Sequence, residues 1–256
     1  MDEIRVQTWT ELHDALFAES WNETLRRHRS SFAYRGVADV RFGLACGLMR
    51  MGSSAHDLEE ALLRTFRKYA RRMVGLDDSI WHWLAVAQHH GLPTRLLDWT
   101  FSPYVALHFM TANATSFEVD GAVYMVDYVK TNAALPKKLR AILDEEQADV
   151  FTSEMLERAA RSFKELDALG GDWLAFLEPP SLDDRIVNQY ALFSLTRREV
   201  SLDKFLAARK IVVPAALKWE VRDKLDQANV TERVLYPGLD GLTQWLTRYY
   251  TPRVAP

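Results

Sequence analysis

The chain has 256 residues, of which 48% are hydrophobic and 26% charged, the make-up of a globular protein rather than a disordered or fibrous one. Its 32 basic and 35 acidic residues give a formal charge of -3, which excludes a global basic field and leaves no strong nucleic-acid signal. The single cysteine, Cys46, excludes an intrachain disulfide and any cysteine-rich metal cluster. No apolar run approaches membrane-spanning length, and Met1-Asp2-Glu3 opens neither a basic nor an apolar leader, so the expected compartment is the cytoplasm, without a membrane partner.

In chain order, Thr8-Trp9-Thr10-Glu11 reads as a capping box for a helix whose face runs through Leu12, Leu16, Phe17, Trp21 and Leu25 to a basic stop at Arg26-Arg27-His28-Arg29. Phe32-Ala33-Tyr34-Arg35-Gly36 then reads as a short apolar strand. Its one arginine is either a fork for a carboxylate or an anion clamp, because a planar guanidinium matches a diphosphate two bonds at a time. Arg41 to Ser54 is expected as a loop. Leu58 to Met73 forms an amphipathic helix whose other face carries Arg64, Arg67, Lys68, Arg71 and Arg72, a solvated face or a surface for an acidic partner.

Gln88 to Phe109 is the densest candidate for a site. Gln88, His89, His90, Thr94, Arg95, Asp98 and Thr100 stand there among aromatic, aliphatic, Gly and Pro residues, and such side chains are rarely buried without partners. Gly91 and Pro93 end a helix that includes Trp81, Leu84 and Ala85. Leu96 to Trp99 reads as a strand edge, and Ser102-Pro103 restarts a helix. Thr94 to Thr100 then lies in a connection that holds polar groups at a cleft, or Arg95 with Asp98 is an internal ion pair that merely joins two elements. Asp98 is expected to be buried, with Arg95 or Arg35 as its charge partner.

Gly121 to Asp127 reads as a buried strand. Pro136 opens a helix and Thr152 or Ser153 caps another, within a weakly patterned stretch from about 130 to 169 that is expected to be a peripheral helical insertion. Trp173 to Leu177 and Ala191 to Leu195 read as strands, with a polar helical turn at Asp183-Asp184-Arg185-Ile186-Val187-Asn188-Gln189 between them. Ser201 is expected to cap a helix, Ile211-Val212-Val213 to form a strand, and Pro214 to start a helix through Leu217, Val221 and Leu225. A strand-like segment at Val234-Leu235-Tyr236 and a helix through Leu242, Trp245 and Leu246 close the chain. Strands mingle with helices without a βαβ rhythm, so the expected class is α+β: one domain over 1-256, with a mixed or split sheet surrounded by helices.

The chain has no glycine-rich phosphate loop, no His-Glu-x-x-His and no Gly-x-Ser-x-Gly elbow. Adjacent helical residues such as His89-His90 point about 100° apart and rarely chelate one ion, so no metal site is expected.

Tyr34-Arg35-Gly36, the run from Gln88 to Thr100 with Ser102-Pro103, Asp184 to Gln189 with Phe193, and Leu235 to Leu242 together resemble the FRG domain, named for a Phe-Arg-Gly signature in which Tyr34 here replaces the Phe. The resemblance implies a family scattered through bacterial genomes and phages, often near toxin or defence genes. Tyr34-Arg35-Gly36 also resembles, more distantly, the opening of the arginine-serine-glutamate ADP-ribosyltransferases. That likeness implies an ADP-ribosyltransferase-like fold, NAD as cofactor, and an unknown macromolecular acceptor, with an antitoxin or phage protein as a further partner. It assigns the pyrophosphate to Arg35, the serine position to Thr94 or Thr100, and the late carboxylate to Glu232, with Tyr34, Gly36, His90, Arg95, Asp98 and Thr100 around the ligand. The expected activity is ADP-ribosyl transfer or NAD glycohydrolysis in a toxin or defence effector. A non-enzymatic nucleotide- or protein-binding module and a nuclease or other hydrolase are the alternatives.

Overall fold

A computed structural model describes residues 2–52, 55–74, 79–181, 183–197 and 208–253. Its strands are β1 (Asp2–Arg5), β2 (Trp21–Asn22), β3 (Arg27–His28), β4 (Phe32–Val37), β5 (Leu97–Thr100), β6 (Gly121–Asp127), β7 (Ala175–Leu177), β8 (Ala191–Leu195) and β9 (Ala208–Val213). The helices are α1 (Trp9–Phe17), α2 (Ala55–Val74), α3 (Ile80–His89), α4 (Pro103–Met110), α5 (Tyr128–Thr131), α6 (Lys137–Glu146), α7 (Ser153–Ala159), α8 (Phe163–Asp167), α9 (Asp184–Asn188), α10 (Lys218–Gln227), α11 (Glu232–Leu235) and α12 (Leu239–Tyr250). This is the expected α+β class.

Seven strands make one mixed sheet in the order β1-β9-β6-β4-β5-β8-β7. Among the pairings of the described strands in this sheet, β1 on β9 is the parallel one. The centre of the sheet is uneven: β4 pairs with β6 over six residues but meets β5 only at Tyr34 opposite Thr100. On its far side β5 pairs with β8 over four residues. The sheet therefore splits along one seam, between a half that ends in β4 and a half that begins with β5.

Apolar residues from alternating strand positions fill three clusters. Phe32, Tyr34, Val123, Met125 and Ile211 pack under α1, α4 and α10 through Leu12, Leu16, Ala106, Leu107 and Val221. The opposite face buries Ala33, Val37, Leu97, Trp99 and Tyr124. A third cluster holds Trp81, Trp83 and Leu84 of α3 against α6, α7 and α8 and against Phe193 and Leu195 of β8.

Three expectations on the fold change. The first helix stops at Phe17: Ala18 leaves helical geometry, Glu19 takes a φ of 58°, and Trp21 and Leu25 fall instead in and beside the β2–β3 hairpin, both exposed. Residues 130–169 are helical but not peripheral, since Leu139, Leu143, Leu156, Phe163 and Leu166 belong to the same core as Trp81. The Val234-Leu235-Tyr236 segment is no strand, because Leu235 ends the helical turn α11 and Tyr236 caps it. The helix expected from Ser201 lies outside the described residues. Among the described residues no helix is long and apolar enough to cross a membrane.

Candidate functional site

The three residues of Tyr34-Arg35-Gly36 do three different jobs. Tyr34 is buried, its hydroxyl bonded to the Leu16 carbonyl at 3.1 Å and to Ser30 Oγ at 2.9 Å. Gly36 lies under α4, where an added Cβ would stand 1.8 Å from the Ala106 carbonyl oxygen, so a side chain there would push helix from strand. Arg35 alone is free to reach out of the core.

It reaches into a cleft of about 580 Å³ at the seam, walled by β4, β5, the end of α3, α9 and the start of β8, a size that suits a small-molecule ligand. Arg35 Nη1 donates to the main-chain carbonyl of Asp98 at 2.7 Å and lies 3.9 Å from Asp98 Oδ2. Its buried Nε has no acceptor among the described residues. Burial is the largest influence on this guanidinium and pushes its pKa down; Asp98 opposes that, and the nearby Arg50 adds to it. An anion in the cleft would relieve both penalties.

Asp98 sits on a relay. Gln88 Nε2 donates to Asp98 Oδ1 at 2.9 Å, Thr94 Oγ1 donates to Gln88 Oε1 at 2.6 Å, and the Leu96 amide donates to Thr94 Oγ1 at 3.0 Å. Because the carboxylate accepts and the hydroxyl donates, the Gln88 amide has one orientation that satisfies both. The relay aims Asp98 while leaving its side chain 57% exposed at the cleft.

The opposite wall comes from α9. Asp183 caps this helix through the Ile186 amide at 3.0 Å, and its other oxygen bonds His89 Nε2 at 2.7 Å. Asn188 and Gln189 donate to the carbonyls of Val234 and Leu235 at 2.8 and 2.9 Å. Between these anchors Arg185 lines the cleft. Arg50 also lines it and bonds the Ala45 carbonyl at 2.7 Å. Three guanidinium groups and one carboxylate thus line the cleft among the described residues, a surplus of positive charge that attracts anions.

The expected site residues divide accordingly. Arg35, Gly36, Asp98 and Thr100 line the cleft, together with the edge of Tyr34. Thr100 is buried with its hydroxyl bonded to the Gln189 carbonyl at 2.7 Å, so it braces the seam, and Thr94 acts only through Gln88. Asp98 is not buried, because alternation along β5 sends Leu97 and Trp99 into the core and turns Asp98 outward. His90 is the exposed cap of α3 and is not among the cleft residues.

Arg95 does not pair with Asp98. It is buried against Glu59 at 2.6 Å and Asp167 at 2.9 Å, with Phe163 beneath its guanidinium. Three positions separate the two environments: the chain crosses from core to cleft between 95 and 98. Burial lowers the Arg95 pKa, and its bonds to Glu59 override that and leave it raised.

Glu232 is also displaced from its expected role. It is 5% exposed and bridges Arg248 at 2.6 and 2.7 Å, while Arg248 holds Asp226 as well. Burial would raise its pKa, but the Arg248 guanidinium holds it below the ordinary value. It belongs to a buried network with Arg222 and His108 and is not among the residues lining the cleft.

Arg50 and Arg185 are the cleft residues that sequence reasoning missed. Arg185 lies inside a motif already notable for its polarity, whereas Arg50 sits in a short 3-10 turn, Met49–Met51, within a stretch read as loop and without a local signal. Among the described residues no group of three His, Cys, Asp or Glu side chains could hold a metal ion. In comparison with known proteins, residues 30–118 match the model of the FRG domain, the segment that runs from Ser30 past α4 and contains Arg35, Gln88 and Asp98. No curated protein and no solved structure matches the chain.

Proposed function

We propose that this FRG-domain chain binds NAD at the seam of its split sheet and breaks the bond between nicotinamide and ribose, by ADP-ribosyl transfer or by hydrolysis, with Asp98 in the role first expected of Glu232. One observation carries the reading: Arg35 and Asp98 share a single cleft, the guanidinium with a buried unpartnered Nε and the carboxylate exposed 3.9 Å away. An arginine fork can fix a diphosphate, which orients the attached ribose. Loss of nicotinamide leaves an oxocarbenium-like ribose, and a carboxylate stabilises that cation more than it stabilises bound NAD. The acceptor is then water or a macromolecular group, and the protein acts as a toxin or phage-defence effector.

A second reading has its own support. Asp98 already accepts from Gln88 and lies against Arg35, an arrangement equally suited to a nucleotide-binding module without chemistry. Hydrolysis assisted by a metal is ranked lower, since Asp98 is the one carboxylate among the described cleft residues.

The test is nicotinamide release from NAD by purified protein, with and without cell extract as acceptor source, comparing parent, Asp98→Asn and Glu232→Gln. The reading expects release by the parent, a loss of at least about 100-fold in Asp98→Asn, and retained release by folded Glu232→Gln. Binding of NAD without release by the parent moves the conclusion to the binding module. Absence of NAD binding overturns the reading.

A further inference from the structure

Arg35 serves the cleft from β4, and α9 carries a second arginine, Arg185, whose surroundings are harder to explain by folding alone. Among the described residues Arg185 makes no ion pair, and its buried Nε has no hydrogen-bond partner. A buried guanidinium nitrogen without an acceptor is costly, and Arg185, unlike Arg222 in the core, shares that feature with Arg35 at a cleft where a ligand can supply the acceptor. Its guanidinium carbon lies over the ring of Tyr236 at 5.1 Å, a contact that engages a cation without using up its N–H donors, and Arg185 lines the cleft.

Hydrogen bonds hold α9 at both ends. α9 is anchored at its start by Asp183 on His89 and at its end by Asn188 and Gln189 on the carbonyls of α11. Tyr236 follows directly on that same turn. Arg185 is therefore pre-set, and little ordering remains to be done when an anion arrives. Charge balance points the same way, because Asp183, the acid that caps α9, is already engaged by His89.

We propose that Arg185 on Tyr236 is a second phosphate position, opposite Arg35, so that the cleft selects ligands bearing two linked phosphoryl groups over those bearing one. This rests on the nucleotide reading of the cleft, and it adds a substrate class: pyrophosphate-linked nucleotides, gripped from β4 on one wall and from α9 on the other.

The experiment is calorimetry with AMP, ADP, NAD and inorganic pyrophosphate on the parent, Arg185→Gln and Arg185→Lys, each checked for fold by circular dichroism. For the parent, ADP, NAD and pyrophosphate are expected to bind at least about tenfold tighter than AMP. Arg185→Gln is expected to lose that preference and bind ADP about as weakly as AMP, and to show a shallower salt dependence. Arg185→Lys, which keeps the charge without the planar stack, should fall between. If Arg185→Gln binds ADP and NAD as the parent does, Arg185 is only a brace for Tyr236 and this inference falls while the NAD reading stands. If pyrophosphate binds the parent and is lost in Arg185→Gln but NAD does not bind, the second phosphate position stands and the NAD reading falls. If the parent binds neither, both are overturned.

Discussion

The Arg35 guanidinium bonds the main-chain carbonyl of Asp98 at 2.7 Å while the Asp98 carboxylate stays 3.9 Å away and open to solvent. The arginine thus closes the seam with one nitrogen and keeps the rest of its fork for the cleft. The carboxylate in turn is aimed by Gln88 rather than consumed by an ion pair.

Asp98→Asn is therefore expected to leave stability within about 1 kcal/mol of the parent, since a half-exposed, loosely paired carboxylate contributes little. Urea denaturation checks it. A loss of several kcal/mol would mean that Asp98 is a structural group after all.

Arg95 makes the opposite prediction. Arg95→Met leaves Glu59, 3% exposed, as a buried charge without its partner, and breaking such a pair costs about 3–5 kcal/mol. The denaturation midpoint should fall accordingly. Ligand affinity of the folded fraction should not change, because Arg95 faces Glu59, Asp167 and Phe163 and not the cleft.

Gly36→Ala tests the division of labour within the signature. A methyl group 1.8 Å from the Ala106 carbonyl oxygen has to displace α4, and overpacking of this kind is expected to cost about 3 kcal/mol or prevent folding. A variant with an unchanged melting temperature would show that α4 gives way easily.

His108 supplies a pH dependence. Burial and then the adjacent Arg222, which donates to its Nδ1 at 2.9 Å, lower its pKa from 6.5 to about 4. Between those two values the unfolded chain binds a proton that the folded chain does not, so this group makes stability fall as pH drops from about 6.5 to about 4, and adds nothing further below that. A shift of this size corresponds to about 3 kcal/mol. Denaturation midpoints at pH 7, 5.5 and 4 should show the loss in the parent and a flatter profile in His108→Gln; equal slopes would contradict the assignment.

Much of this architecture is legible in the chain because local signals and burial agree. Ser102-Pro103 starts α4 where capping chemistry says it should, Gly91 has its φ of 82° just beyond α3, and Arg35 is the one polar side chain of an apolar strand. What was not legible depends on contacts distant in sequence. Arg95 and Asp98 look like partners from their spacing, but Glu59 and Asp167, 36 and 72 residues away, claim the arginine. Glu232 looks locally unexplained because its partner, Arg248, belongs to the last helix. Arg185 gains meaning only when α9 folds back across the seam to face β4.

The most direct test of the central claim is titration of NAD into the parent and into Arg35→Gln, read by calorimetry on protein shown to be folded. The account predicts saturable binding by the parent and a loss of at least about 30-fold in Arg35→Gln, the size expected for a charge-assisted bidentate contact, with no change in melting temperature beyond a few degrees. Equal affinity in the two proteins would contradict it.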